Sequence, residues 1–167
     1  MPCTLDAIAM NPNHGIRIER LAPDDALAAT VSEWTYDTWG HLNPEMDGDA
    51  WLREIRDNAG PGGVPSIFVA RLDQRAVGTA SLVAQDMTIR PALTPWLASV
   101  FVQPAARGQG IASALVARVE QEAREARLRH LHLYTPDQQH LYTRLGWQPQ
   151  ETVTYRGEHV TIMQRQL

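Results

Sequence analysis

The stretch VQPAARGQGIASALV, from Val102 to Val116, sets a proline, an arginine and two glycines between a run of β-formers and a run of helix-formers. A strand that feeds a glycine-rich turn and then a helix leaves backbone N–H groups free at the helix N-terminus, where the dipole also favours anions. Glycine at positions 108 and 110 suits such a seat, because a Cβ would hold a phosphate off the backbone and would penalise positive φ. Arg107 adds a fixed cation with bidentate geometry. Taken alone, the stretch fits both a phosphate seat and a plain strand-to-helix connection.

Working outward, WLASVFV (96–102) reads as the strand that enters the turn. Beyond it Ile111, Leu115, Val119, Ala123 and Ala126 keep a helical stripe, with Arg118, Glu120, Arg124 and Glu125 expected to face away. HLHLYT (130–135) is the next strand, and QHLYTRLG (139–146) a short helix closed by Gly146. The tail from Trp147 to Gln166 splits at Arg156-Gly157 into a hairpin. Upstream, IRIERL (16–21) alternates as a strand. After Pro23 the acids Asp24 and Asp25 suit a first helical turn, with Leu27, Val31 and Trp34 on one face and Gly40 as a stop. A second helix covers Asp47 to Asn58, and Gly60-Pro61-Gly62-Gly63 ends it. SIFVARL (66–72) and AVGTASLVA (76–84) flank a tight Asp73-Gln74 turn as an antiparallel hairpin. The expectation is a single α/β domain over 16–167, a mixed sheet covered by helices, preceded by an extension over 1–15.

Composition limits what such a domain serves. A chain of 167 residues with 44% hydrophobic and 20% charged residues has an ordinary globular mixture. Its net charge of −4 argues against general nucleic-acid binding. The single cysteine, Cys3, rules out an internal disulfide and a multi-cysteine metal cluster, as suits a reducing compartment. No segment approaches the roughly 18 apolar residues of a membrane span, and the N-terminus lacks a secretory pattern. The reading is cytoplasmic, with neither nucleic acid nor membrane as partner and a homodimer left open.

Two nucleotide motifs compete for the turn. A P-loop needs Lys and then Ser or Thr after its last glycine, whereas Ile111-Ala112 follow Gly110. A dinucleotide fingerprint comes closer in Gly108-Gln109-Gly110-Ile111-Ala112-Ser113, but the next strand ends in Tyr134-Thr135 where that motif wants an acid. Arg107-Gly108-Gln109-Gly110-Ile111-Ala112 instead resembles the R/Q-x-x-G-x-G/A pyrophosphate loop of the GCN5-related N-acetyltransferases (GNAT). LYTRLGW, with Tyr142 before Leu145-Gly146-Trp147, resembles the family's aromatic helix ending in Leu-Gly-Phe/Trp. The element order is similar from Ile16 onward.

The resemblance implies a mostly antiparallel sheet whose parallel strands four and five, 96–102 and 130–135, splay apart to admit acetyl-coenzyme A as co-substrate. It implies that backbone groups of Val100, Phe101 and Val102 pair with the pantetheine arm, and that Arg107, Gly108, Gln109, Gly110, Ile111 and Ala112 hold the pyrophosphate. It also implies that Tyr142 protonates the leaving thiolate. A packed core tyrosine is the other reading of that residue.

Two departures from the family pattern stand out. WLASVFV lacks the glutamate that many members carry in strand four, so the base is open among Asp86, His132, Glu33, His41 and water-mediated routes. Thr135-Pro136-Asp137-Gln138 stands where many have an asparagine, and Thr135 or Gln138 is the expected substitute. His130 and His132 share a strand face at a zinc-compatible spacing, but no further ligand is apparent and no metal is expected. Trp34, Tyr36, Trp39, His41, Glu45, Asp47 and Asp49 occupy the region of the family's acceptor pocket, where aromatics beside acids suit a cationic amine. Core packing and helix capping account equally for Trp34 and the acids. The resulting expectation is N-acetylation of a primary amine on a small molecule, with Trp34, Trp39, His41 and Asp86 as acceptor-side residues. Peptide or protein acetylation, and non-catalytic sensing of acyl-coenzyme A, are the alternatives.

Overall fold

The computed structural model describes residues 15–167. The extension expected over 1–15 and Cys3 therefore lie, but for Gly15, outside the described residues. The alternating and striped segments become strands β1 (Ile16–Arg20), β2 (Ser66–Leu72), β3 (Arg75–Val83), β4 (Trp96–Val102), β5 (His130–Thr135), β6 (Gln148–Tyr155) and β7 (Glu158–Gln166). The helices are α1 (Leu27–Trp39), α2 (Gly48–Asn58), α3 (Ile111–Glu125) and α4 (Gln139–Arg144). All the strands join one sheet in the order β1-β2-β3-β4-β5-β7-β6. Every neighbouring pair is antiparallel except β4 and β5.

Alternation along β2 shows how the sheet is covered on both faces. Phe68 and Ala70 are buried with Ile111, Leu115, Val119 and Ala123 of α3. Ile67 and Val69 point the other way and are buried with Ala28 and Val31 of α1 and Ile55 of α2. Gly78 of β3 lets α3 approach closely, since a Cβ there would lie 2.7 Å from the Phe101 carbonyl oxygen and 3.2 Å from Leu115. On the α1–α2 face, beyond those helices, Met87, Trp96, Ala98, Tyr155, Val160 and Ile162 make a third buried group.

Three local expectations are corrected. Helix α1 begins at Leu27, so Asp24 and Asp25 precede it, and Asp25 Oδ1 accepts from the Leu27 N–H at 2.9 Å. Gly40 does not stop the helix in a left-handed cap; at φ −58° it continues into a 3-10 turn over Gly40–Leu42. Glycine is needed there because a Cβ would meet the Tyr36 ring at 2.8 Å. On α3, Glu120 faces inward and not away, whereas Ala126 is exposed. The Glu120 carboxylate is buried because Trp147 Nε1 donates to it at 3.0 Å, with Arg165 at 3.4 Å.

Glu122 is the second buried carboxylate on that helix. It accepts from the Gly63 N–H at 2.8 Å and from Arg20 at 2.7 Å, and Arg118 stands 2.9 Å away. It thus joins α3 to β1 and to the loop before β2. Burial alone would raise its pKa, but the Gly63 N–H and the two guanidinium groups outweigh that and hold it below the usual carboxylate range. A depressed folded pKa means that the contribution is complete above the unfolded value and is lost as pH falls through the folded one. Glu122→Gln is expected to cost about 3 kcal/mol at neutral pH, the low end for a broken buried pair because both arginines keep some water. Urea unfolding at pH 7 and pH 4 checks this: the difference between variant and wild type should shrink at the lower pH.

Candidate active site

Parallel strands β4 and β5 meet at one register pair, Trp96 with His132, supported by the His132 N–H donating to the Pro95 carbonyl at 3.0 Å. Past that point they part. The cause lies partly in β4, where Ala80 of β3 faces both Ser99 and Val100, making a β-bulge. Ser99 sits at φ +54°, a left-handed conformation uncommon for a residue with a side chain. No signal in WLASVFV marks Ser99 for this, and sequence reasoning missed it.

Above the bulge the backbone of β4 divides by alternation. The Gln103 N–H donates to Val77 of β3, and the Phe101 carbonyl lies against Gly78 of β3, so both of these residues address β3. Val100 and Val102 therefore turn their N–H and C=O groups into the gap. The expectation that Phe101 shares in backbone pairing there is corrected on this ground. Its role is its ring, which packs against Trp34 with centroids 5.6 Å apart. Trp34 accordingly braces β4 and does not line the cleft.

At the open end of the gap the chain makes the glycine turn. Gly108 and Gly110 adopt φ +79° and +80°, and Gly110 is the N-cap of α3, with no side chain capping the helix. No atom lies within 4 Å of a Cβ placed on Gly108, so neighbouring side chains do not demand the glycine. Its positive φ and the uncapped N–H groups make a concave seat for an anion. Arg107 Nε donates to the Val102 carbonyl at 3.0 Å, fixing the cation at the lip of the gap. Gln109 points back onto the turn, bonding the Ala106 carbonyl at 3.3 Å.

The gap opens into a cleft of about 1300 Å³. One end is lined by Val100, Val102, Arg107, Gly108, Gly110, Ile111, Ala112, Gln138 and Tyr142. Thr135 Oγ1 accepts from the N–H groups of Asp137 and Gln138, so a local turn shapes this wall. Tyr142 is 7% exposed, edge-on to Trp147 at 6.1 Å, and its hydroxyl takes no hydrogen bond from a described residue. Burial, and then Asp137, push its pKa up to about 12, which keeps the phenol protonated throughout the neutral range.

The other end lies between the segment joining α1 to α2, the loop joining β3 to β4, and the β6–β7 turn. Trp39, His41 and Asp86 line it, and so do Glu45, Glu54, Tyr134, Arg156 and Glu158. The last four of these went unseen because long-range folding alone brings them together. Asp47 instead accepts from the Ala50 N–H as the N-cap of α2, and Asp49 lies in that helix's first turn. Glu33 is exposed, and neither it nor His132 lines the cleft. His132 is buried against Trp96, 5.5 Å between ring centroids, and burial followed by His130 lowers its pKa. The two histidine rings are 5.0 Å apart, but no described group of three or more metal-ligating side chains includes them.

Arg156 closes this end from above. Its guanidinium donates to the Leu42 carbonyl at 3.0 Å, stands 3.1 Å from Glu45, and reaches the Tyr155 hydroxyl at 3.2 Å. Tyr155 in turn contacts the Thr88 N–H and hydroxyl, each at 3.2 Å.

Fold and site together define an acyl-transferring enzyme class, and comparison with known proteins identifies it. The acetyltransferase (GNAT) family matches residues 28–147, and the chain belongs to that family. No curated protein sequence matches the chain. Among solved structures, Salmonella typhimurium YncA with its cofactor acetyl-CoA is 20% identical, with 90% of this chain and 93% of that one covered at a TM-score of 0.69. PaiA N-acetyltransferase from Thermoplasma acidophilum, in complex with coenzyme A, is 16% identical over 91% and 99% of the two chains at a TM-score of 0.64. Aminoglycoside 6'-acetyltransferase type Ii is 19% identical over 90% and 96% at a TM-score of 0.66. At these identities the likeness is one of fold.

The roof over the cleft makes a prediction that requires no ligand. The hydrogen bond from Arg156 to the Leu42 carbonyl contributes about 1 kcal/mol. Arg156→Ala should therefore quicken hydrogen exchange of the Asn43 and Met46 amides by about fivefold, leaving the exchange of β2 and β3 unchanged. Exchange read by mass spectrometry or NMR checks it.

Proposed function

We propose that the protein transfers the acetyl group of acetyl-coenzyme A directly to a primary amine of a small cationic molecule. The observation that carries the acceptor reading is the Arg156 strap from the β6–β7 turn to Leu42 and Glu45. A strand of substrate polypeptide needs an open groove, whereas this strap roofs the chamber. Beneath it Glu54 and Glu158 supply negative charge, and Trp39 and Tyr134 supply ring faces, a combination suited to an ammonium group.

The residues present fit the co-substrate. An extended pantetheine carries amides that complement the gap-facing backbone of Val100 and Val102, as an added strand would. Its pyrophosphate suits the N–H groups from Gly108 to Ala112, with Arg107 for charge and Gln138 on the opposite wall. Acetyl-coenzyme A supplies the activated thioester. The chain's own part is to hold the acceptor nitrogen near the Ser99 bulge, where backbone N–H groups released from β3 can stabilise negative charge developing on the carbonyl oxygen. On this reading Tyr142, buried and neutral, gives its proton to the departing sulfur.

Screening monoamines, polyamines, amino sugars and short peptides for thiol release tests the acceptor reading. Turnover confined to peptides would contradict it. Tyr142→Phe keeps the ring packing and removes only the proton, so acetyl-coenzyme A affinity should hold while kcat falls about 10²–10⁴-fold. Steady-state kinetics beside a binding titration on the same variant decides the role, and a near-wild-type kcat would end the assignment.

A further inference from the structure

Strand β4 carries no carboxylate, so the fold's chemistry leaves the acceptor ammonium without an evident proton acceptor. We propose that Asp86, from the loop joining β3 to β4, is the base that takes this proton, an inference that rests on the amine reading above. The neighbouring residues hold it in place. Met87 is 1% exposed within the buried group around Trp96 and Ala98, and Thr88 is bonded through its N–H and hydroxyl to Tyr155. Asp86 thus sits on an anchored loop, as a group that must meet a reacting nitrogen requires.

The other carboxylates of the cleft are less suited. Glu45 is committed to Arg156 at 3.1 Å. Asp137 lies at the coenzyme end beside Tyr142, whose pKa it helps to raise. Glu54 is exposed on α2. Asp86 and Glu158 both line the roofed chamber with no hydrogen bond or ion pair from a described residue, but Glu158 follows the exposed β6–β7 turn, whereas Asp86 is flanked by the anchored Met87 and Thr88 and keeps both oxygens for a ligand. Glu54 from α2, Arg156 from the β6–β7 turn and Tyr134 from β5 face it, with Tyr155 of β6 and Glu158 of β7 next to Tyr134. Desolvation in the chamber pushes the Asp86 pKa up to about 8, with Glu54 adding to the rise and Arg156 opposing it. That value is well matched to proton transfer from an ammonium group.

The acceptor ammonium gives one proton to Asp86, and the freed nitrogen pair forms the C–N bond to the thioester carbon. The C–S bond breaks with its pair on sulfur, which takes the Tyr142 proton. The nitrogen's second proton restores the phenol through solvent, and Asp86 returns its own proton to solvent.

The test uses the full chain with spermidine, tyramine and kanamycin as probes. For whichever probe is acetylated, wild-type kcat/KM should rise with pH through about 8 and fall above the amine's own pKa. Asp86→Asn should lose about 10²–10⁴-fold in kcat/KM at neutral pH, chiefly through kcat, with unchanged acetyl-coenzyme A affinity. Its profile should climb only as the ammonium of the probe itself deprotonates. Glu54→Gln removes an anion that raises the Asp86 pKa, so it should move the rising limb to lower pH. An Asp86→Asn variant within threefold of wild type, or one changed only in KM, would overturn the base assignment while leaving the amine reading intact. Wild-type protein that releases thiol with none of the probes would overturn both.

Discussion

The unfinished pairing of β4 with β5 is the constraint on which the rest depends. Two parallel strands joined only at Trp96 and His132 leave gap-facing backbone groups of β4, other than the Val102 carbonyl that accepts from Arg107, without a partner among the described residues. Such groups are costly when buried dry, at about 1–3 kcal/mol each, so the gap must hold water or a ligand that hydrogen-bonds like a strand. Everything else in the site addresses that opening. The glycine turn and the start of α3 supply an anion seat at one end, and the bulge at Ser99 frees backbone where an acyl carbonyl would lie.

Holding two parallel strands apart needs rigidity around them, and the buried polar groups of α3 contribute it. Glu122 ties the helix to β1 and to the loop before β2, while Glu120 ties it through Trp147 to the segment after α4. One helix therefore packs against the sheet on both sides of the gap, with its N-terminus at the gap's mouth. The same arrangement separates the two ends of the cleft chemically. The end at the glycine turn is built of backbone N–H groups and Arg107, whereas the other end holds carboxylates and rings beneath Arg156.

Much of this was legible in the sequence because it depends on local chemistry. Alternation and the 3.6-residue stripe give the strands and α3, and the glycines of Arg107 to Ala112, which alone fit a plain connection as well, point to an anion seat through the family resemblance they carry. What stayed hidden was set by tertiary packing. Glu120 and Glu122 sit on a helix where charge suggests solvent, yet Trp147, Gly63, Arg20 and Arg118 satisfy them from distant parts of the chain. Ser99 adopts a left-handed backbone with no glycine or asparagine to signal it. Trp34 looked like an acceptor-pocket aromatic and is a brace for Phe101, a distinction that depends on which face of β4 the bulge presents. Arg156, recognised only as part of a hairpin turn, reaches back to Leu42 across 114 residues of sequence.

On the proposed reading, the backbone of Val100 and Val102 and the N–H groups of the glycine turn form one continuous binding edge for acetyl-coenzyme A. Residue-resolved hydrogen exchange, with and without saturating acetyl-coenzyme A, measures this directly. Exchange should slow at the Val100 and Val102 amides and across Gly108 to Ala112, with Phe101 unchanged because β3 already holds it. Ligand binding that leaves Val100, Val102 and the glycine turn unprotected, or that protects Phe101 in their place, would contradict it.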